Sequence, residues 1–214
     1  MATLPEGYWA LPVSGQGPAV LVLHPWWGLN ETIRAFCRRL AEAGFVAFAP
    51  DLYHGQVTDT IAEAERLGSA LDQNFEQART EVATAARFLN ALSGQNDGGV
   101  AVIGFSLGAF YAIDLSTTSP TLVRSVVLFY GTGPGDYEKS QAAYLGHYAE
   151  NDPYEPQENI DYLTNGLREA GRSITVHTYP DTGHWFFESD RADAYNAEAA
   201  ALAWERTVAF LREQ

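Results

Sequence analysis

Residues 19–24, 45–49, 99–103 and 123–130 are apolar almost without interruption, as strands buried on both faces are, and 142–148 continues the series. Segment 174–179 alternates like a final strand, and 8–12 reads as an edge strand. Between these runs the apolar positions return every three or four residues. Ile33, Phe36, Cys37 and Leu40 form one stripe, opened by Asn30 as N-cap and closed by Gly44. Two helices are predicted over 58–67, stopping at Gly68, and over 74–92, where Ala78, Val82, Ala85, Leu89 and Leu92 share a face. Further helices are predicted over 107–115, over 157–170 before Gly171, and over 191–212. The last would bury Ala194, Ala197, Ala201, Trp204, Val208 and Leu211 and turn Glu198, Glu205 and Arg212 to solvent. Apolar strands alternating with helices mean an α/β protein with a mostly parallel sheet covered on both faces. Ligands of such sheets bind beyond the carboxyl ends of the strands.

Length and charge narrow the class. A chain of 214 residues, 46% of them apolar, fits one α/β domain better than two small ones, and it carries no internal repeat. Thirteen basic against 27 acidic side chains leave a net charge of −14 with no basic cluster, so nucleic acid and anionic membranes are disfavoured partners. Residues 1–6 carry no basic, then apolar, leader, and no stretch is long enough to span a bilayer, so the expected location is cytoplasmic. Monomer and homodimer are both open. The single cysteine, Cys37, lies on a core stripe and reads as packing rather than as a reactive thiol.

Candidate chemistry centres on Gly104-Phe105-Ser106-Leu107-Gly108, which follows a predicted strand and precedes a predicted helix. A serine that turns a strand sharply into a helix sits at strained dihedrals, and flanking glycines remove the Cβ clashes of that turn. The N–H of Leu107 then stands at a helix start, free to donate to an oxyanion. A serine hydroxyl needs a base and a group that orients the base, in the chain order serine, acid, histidine. Of the five histidines only His147, His177 and His184 follow Ser106, and the first two fall inside predicted strands. His184, in Asp181-Thr182-Gly183-His184, sits just past the last strand and is the candidate base. For the acid, Asp152 is preferred, with Glu150 and Glu155 as alternatives on the same loop. His24-Pro25-Trp26-Trp27-Gly28 occupies the place of a second oxyanion donor; Pro25 has no N–H, which leaves Trp26. Trp26, Trp27, Tyr53, Trp185 and Phe186 are candidate walls of an aromatic pocket. A metal site from His24, Asp51 and His54 is a competing arrangement whose spacing matches no familiar ligand pattern.

The loop His24-Pro25-Trp26-Trp27-Gly28-Leu29-Asn30, the segment Ala49-Pro50-Asp51-Leu52-Tyr53, the Ser106 elbow, Gly146-His147 through Asp152-Pro153, Gly183-His184 with Phe186, and Glu205-Arg206-Thr207 together resemble the dienelactone hydrolase family of the α/β-hydrolase fold. The resemblance spans nearly the whole chain. It implies one domain over residues 1–214, a mostly parallel sheet of about seven strands with helices on both faces, no large lid domain, and a triad whose acid and base match Asp152 and His184. The family's founding enzymes use cysteine where this chain has Ser106, and a glutamate governing that thiol where it has Pro25. The arginines with which they hold a substrate carboxylate are unmatched, Arg191 being shifted in sequence, so the dienelactone substrate is not carried over. The expected activity is serine hydrolysis of a small ester, lactone or thioester through an acyl-enzyme on Ser106, with no cofactor or metal. The alternatives are an acyltransferase using the same triad and a non-catalytic binding protein that kept the fold.

Overall fold

The computed structural model describes residues 5–92 and 98–214; the first four residues of the segment read for a leader lie outside it. Among the described residues seven strands form one sheet in the order β1-β3-β2-β4-β5-β6-β7. They are β1 (Gly7–Ala10), β2 (Ala19–Leu23), β3 (Val46–Pro50), β4 (Val100–Phe105), β5 (Val123–Phe129), β6 (Ala143–Asn151) and β7 (Ile174–Gly183). Edge strand β1 runs antiparallel to β3, and every other pairing is parallel. The helices are α1 (Glu31–Glu42), α2 (Ile61–Gln73), α3 (Phe75–Leu92), α4 (Leu107–Thr118), α5 (Gln157–Glu169) and α6 (Ala197–Glu213). This is the α/β-hydrolase arrangement, with no large lid domain among the described residues.

Alternate strand residues feed two cores, because successive side chains point to opposite faces. Val20, Val22, Ile103 and Val127 pack with α1 and α6, whereas Leu21, Leu23, Val102 and Leu128 pack with α3, α4 and α5. At α1 the predicted punctuation is in place: Asn30 Oδ1 accepts from Ile33 N at 3.1 Å, and Gly44 takes φ 99°. Cys37 is fully buried in that core, and desolvation pushes its thiol up to about 12.

Two helices differ from their sequence reading. α2 does not stop at Gly68 but runs through it to Gln73. A Cβ on Gly68 would meet Trp26 Nε1 at 3.2 Å, so this glycine admits a neighbouring indole instead of ending the helix. α6 starts at Ala197, after Asn196 has capped it by accepting from Ala199 N at 3.0 Å. Its buried face is Ala199, Ala200, Ala203, Thr207, Val208 and Leu211; Ala197 and Ala201 are exposed and Ala194 precedes the helix. Alanines at 197, 199, 200, 201 and 203 make several phases look alike, which is why periodicity misplaced the face. No helix among the described residues is long and apolar enough to cross a membrane.

The strand order reverses between β2 and β4, where Leu23 lies opposite Gly104. The crevice beyond these two strand ends is where such a sheet places its ligand.

Candidate active site

β4 ends at Phe105 and α4 begins at Leu107, so Ser106 alone makes the turn, at φ 48° and ψ −111°. Residues with a Cβ seldom adopt this conformation, and it persists only where the surroundings enforce it. Here backbone enforces it on both sides. A Cβ on Gly104 would stand 2.4 Å from Gly108 O, and one on Gly108 would stand 2.3 Å from Leu23 O. Ser106 N donates to Phe129 O at 2.9 Å, and a Cβ on Gly131 would stand 2.5 Å from Ser106 O. The close approach of Gly108 to Leu23 also brings the 24–28 loop against the elbow, so that Trp26 and Leu107 line one cavity with Ser106.

Parallel pairing of β6 with β7 sets Asn151 opposite Gly183, and the first residues past the two strand ends are Asp152 and His184. Asp152 Oδ2 and Oδ1 lie 2.7 and 2.9 Å from His184 Nδ1, and His184 Nε2 lies 3.0 Å from Ser106 Oγ. The Asp152 and His184 side chains are 3% and 5% exposed. A carboxylate only accepts, so the proton sits on Nδ1 and Nε2 is left to accept from the serine hydroxyl. Asp152 Oδ1 also accepts from Tyr154 N and Glu155 N, which aims the carboxylate before the imidazole meets it.

The alternative acids are engaged elsewhere. Glu150 Oε2 accepts from Asp181 N at 2.9 Å. Glu155 accepts from Thr132 N at 2.7 Å, from Thr132 Oγ1 at 3.0 Å and from Asn159 Nδ2 at 2.9 Å, pinning the loop after β5 to the start of α5. His147 lies away from Ser106, buried between Tyr179 Oη at 2.9 Å and Thr207 Oγ1 at 3.0 Å, and desolvation holds its pKa well below the usual imidazole range. Neighbouring His177 pairs with it along β6 and β7. His24 has both ring nitrogens committed, Nδ1 to Pro25 O at 2.8 Å and Nε2 to Leu52 N at 3.2 Å, and burial lowers its pKa. Asp51 accepts from Tyr53 N and Gly55 N, so His24, Asp51 and His54 do not converge as a ligand set.

The cavity above Ser106 has a volume of about 270 Å³. Of the five candidate aromatic walls only Trp26 and Trp185 line it. Trp27, Tyr53 and Phe186 turn inward: Trp27 packs on Trp185 at 5.0 Å, Tyr53 on His24 at 4.8 Å and Phe186 on Tyr179 at 4.9 Å. Phe110, Tyr130 and Tyr154 take their places. Tyr130 and Tyr154 lie in the connections after β5 and β6, and Phe110 stands in the first turns of α4 beside the elbow, so periodicity gave no sign that any of the three faces the cavity. Tyr130 has φ 37° and Trp185 φ 67°, so with Ser106 three of the five non-glycine residues at positive φ among those described line this one cavity. Beneath it Tyr130 Oη donates to Glu188 Oε1 at 2.8 Å, and the Tyr130 ring lies 4.9 Å from that of His184. Burial, opposed by that hydrogen bond and reinforced by Asp190, pushes the Glu188 carboxyl up to about 8.

Residues 6–214 match the model of the dienelactone hydrolase family. A protein of Aquifex pyrophilus, "Protein usf", is 31% identical over 97% of this chain and 93% of its own length. One of Aquifex aeolicus, named "Putative carboxymethylenebutenolidase", is 30% identical over 97% of this chain and 92% of its own. Among solved structures, a dienelactone hydrolase-like promiscuous phosphotriesterase from metagenomic libraries superposes with a TM-score of 0.80 at 26% identity, over 92% of this chain and 87% of that one. The chain belongs to the dienelactone hydrolase family and is a carboxylic-ester hydrolase of the α/β-hydrolase fold.

Proposed function

We propose that this hydrolase cleaves small esters or lactones through an acyl-enzyme on Ser106. The observation that carries the reading is the unbroken line from Asp152 through His184 to Ser106, with steps of 2.7 and 3.0 Å, at the floor of a cavity beyond the strand ends. Ser106 Oγ attacks the carbonyl carbon while His184 Nε2 takes its proton, and Asp152 stabilises the imidazolium. Negative charge on the carbonyl oxygen is received by the N–H groups of Leu107, at the open first turn of α4, and of Trp26. His184 returns the proton to the leaving oxygen. A water then repeats the attack on the acyl-serine and releases the acid. A cavity of about 270 Å³ suits a short acyl group, since it lies at the small end of ligand pockets.

Ser106→Ala is expected to lower kcat/KM on a short-chain aryl acetate by about 10³-fold or more, the usual cost of removing a nucleophile that works as part of a unit. A fluorophosphonate should add mass at Ser106 in the native chain only. Retention of activity by the variant within about tenfold would refute the assignment.

A further inference from the structure

We infer that the substrate of this site is an uncharged ester, and that the cavity selects against esters bearing a carboxylate; the inference rests on the hydrolytic reading above. Trp26, Phe110, Tyr154 and Trp185 form its aromatic walls around Ser106, and Thr132, Glu155 and His184 are among its polar lining. Among the described residues that line it there is no lysine or arginine, and the wall does hold a carboxylate, Glu155. The side chain is fixed there. Both Glu155 oxygens are spent on Thr132 and Asn159, which hold its charge beside the cavity instead of letting it swing away. Arg191, the cation closest in sequence to His184, is committed elsewhere: its guanidinium lies 3.4 Å from the centre of the Trp27 ring, and its Nη1 donates to Asp59 O at 2.9 Å. A carboxylate on the substrate would give up its water for an aromatic wall and a like charge, with no countercharge in return. An uncharged acyl or aryl group loses nothing polar on the same surface.

Two aryl acetates test this, methyl 4-acetoxybenzoate and 4-acetoxybenzoate, which deliver the same acetyl group and differ by one carboxylate. With each rate normalised to that ester's own hydroxide-catalysed hydrolysis, kcat/KM should favour the uncharged ester by about 30-fold or more. The preference should survive about 0.5 M NaCl, where the far field of a chain of net charge −14 is screened. A ratio within about threefold, or one that collapses in salt, overturns the inference. Tyr154→Arg, at a cavity residue 44% exposed, should move the ratio toward the anionic ester by about tenfold. If that variant does not fold, Glu155→Gln should move it the same way, and no movement in the folded variant counts against the inference. Ser106→Ala separates the two readings. A flat ratio with that variant inactive sinks the charge selection alone, whereas activity on both esters in that variant sinks the hydrolytic reading.

Discussion

Around Ser106 backbone is held against backbone by steric exclusion, whereas around His184 the wall is held by hydrogen bonds of side chains, some of them to backbone N–H groups. At the elbow, the shape depends on what Gly104, Gly108 and Gly131 lack: added Cβ atoms would stand 2.4, 2.3 and 2.5 Å from neighbouring carbonyl oxygens. On the other wall, Asp152, Tyr154, Glu155, His184 and Glu188 from the segments between β6 and α6, with Tyr130 from just past the end of β5, reach one another by hydrogen bonds and ring contacts. Steric exclusion has no soft direction, since two backbones cannot part without moving a strand end. Hydrogen-bonded side chains can re-pair locally. The elbow should therefore fail as a unit, and the facing wall in separable steps.

The largest effect is expected at Gly108. An alanine there must push α4 away from Leu23 O, which both tilts the Leu107 N–H and separates it from the Trp26 loop. Gly108→Ala should cost about 3 kcal/mol in stability by overpacking, read as a lower denaturation midpoint, and about 10³-fold in kcat by displacing the proposed nucleophile and oxyanion donors together. Near-normal kcat in a destabilised variant would break the claim that one contact sets both.

Next is Asp152→Asn. The amide keeps an oxygen for the Tyr154 and Glu155 N–H groups but can present a donor to His184 Nδ1, which favours the wrong tautomer. kcat should fall by about 10³-fold to 10⁴-fold on the proposed mechanism, while thermal stability moves far less than in Gly108→Ala. Equal losses of stability in the two variants would erase the difference between the walls.

The same division governs what could be read in advance. Gly104, Ser106 and Gly108 fall within five consecutive residues, and a strand, a turn and a helix start express a local steric requirement, so the elbow was legible before any fold. The strands and their mostly parallel arrangement were legible for a related reason, since continuous apolar runs leave a strand no solvent face, whereas the order in which they pair was not. His184 and Asp152 could be placed only at strand ends; the preference for Asp152 came from its place on the loop, while the β6–β7 register and the destinations of all three carboxylates were beyond the sequence. The cavity walls were the least legible part. Trp26 and Trp27 are adjacent and identical in kind, yet one faces the cavity and the other the core, a choice made by turn geometry and by Gly68 on α2 admitting one indole. Tyr130 and Glu188 gave no local signal, being 58 residues apart and joined only by the fold.

That pair supplies the smallest and most selective test. Glu188 is fully buried, and its carboxyl is raised from 4.5 to about 8, first by desolvation. A raised folded-state pKa means that the native protein keeps a proton which the unfolded chain has released. This contribution to stability is therefore complete below about pH 4.5 and is lost as pH rises through about 8. Buried His147, shifted in the opposite sense, loses its contribution as pH falls below the usual imidazole range, so it cannot mimic this slope. Glu188→Gln has no proton to release and can still accept from Tyr130 Oη. Because the lowered His147, His24 and His177 push stability the other way over the same range, the thermal midpoint at about pH 8 minus that at about pH 5 should be more positive in the variant than in the native chain. kcat should change only a few-fold, because Glu188 reaches His184 only through the Tyr130 ring. A native slope unchanged by the substitution would remove Glu188 as its source. A loss of kcat as large as that of Asp152→Asn would mean that the side-chain wall, like the elbow, acts as one piece.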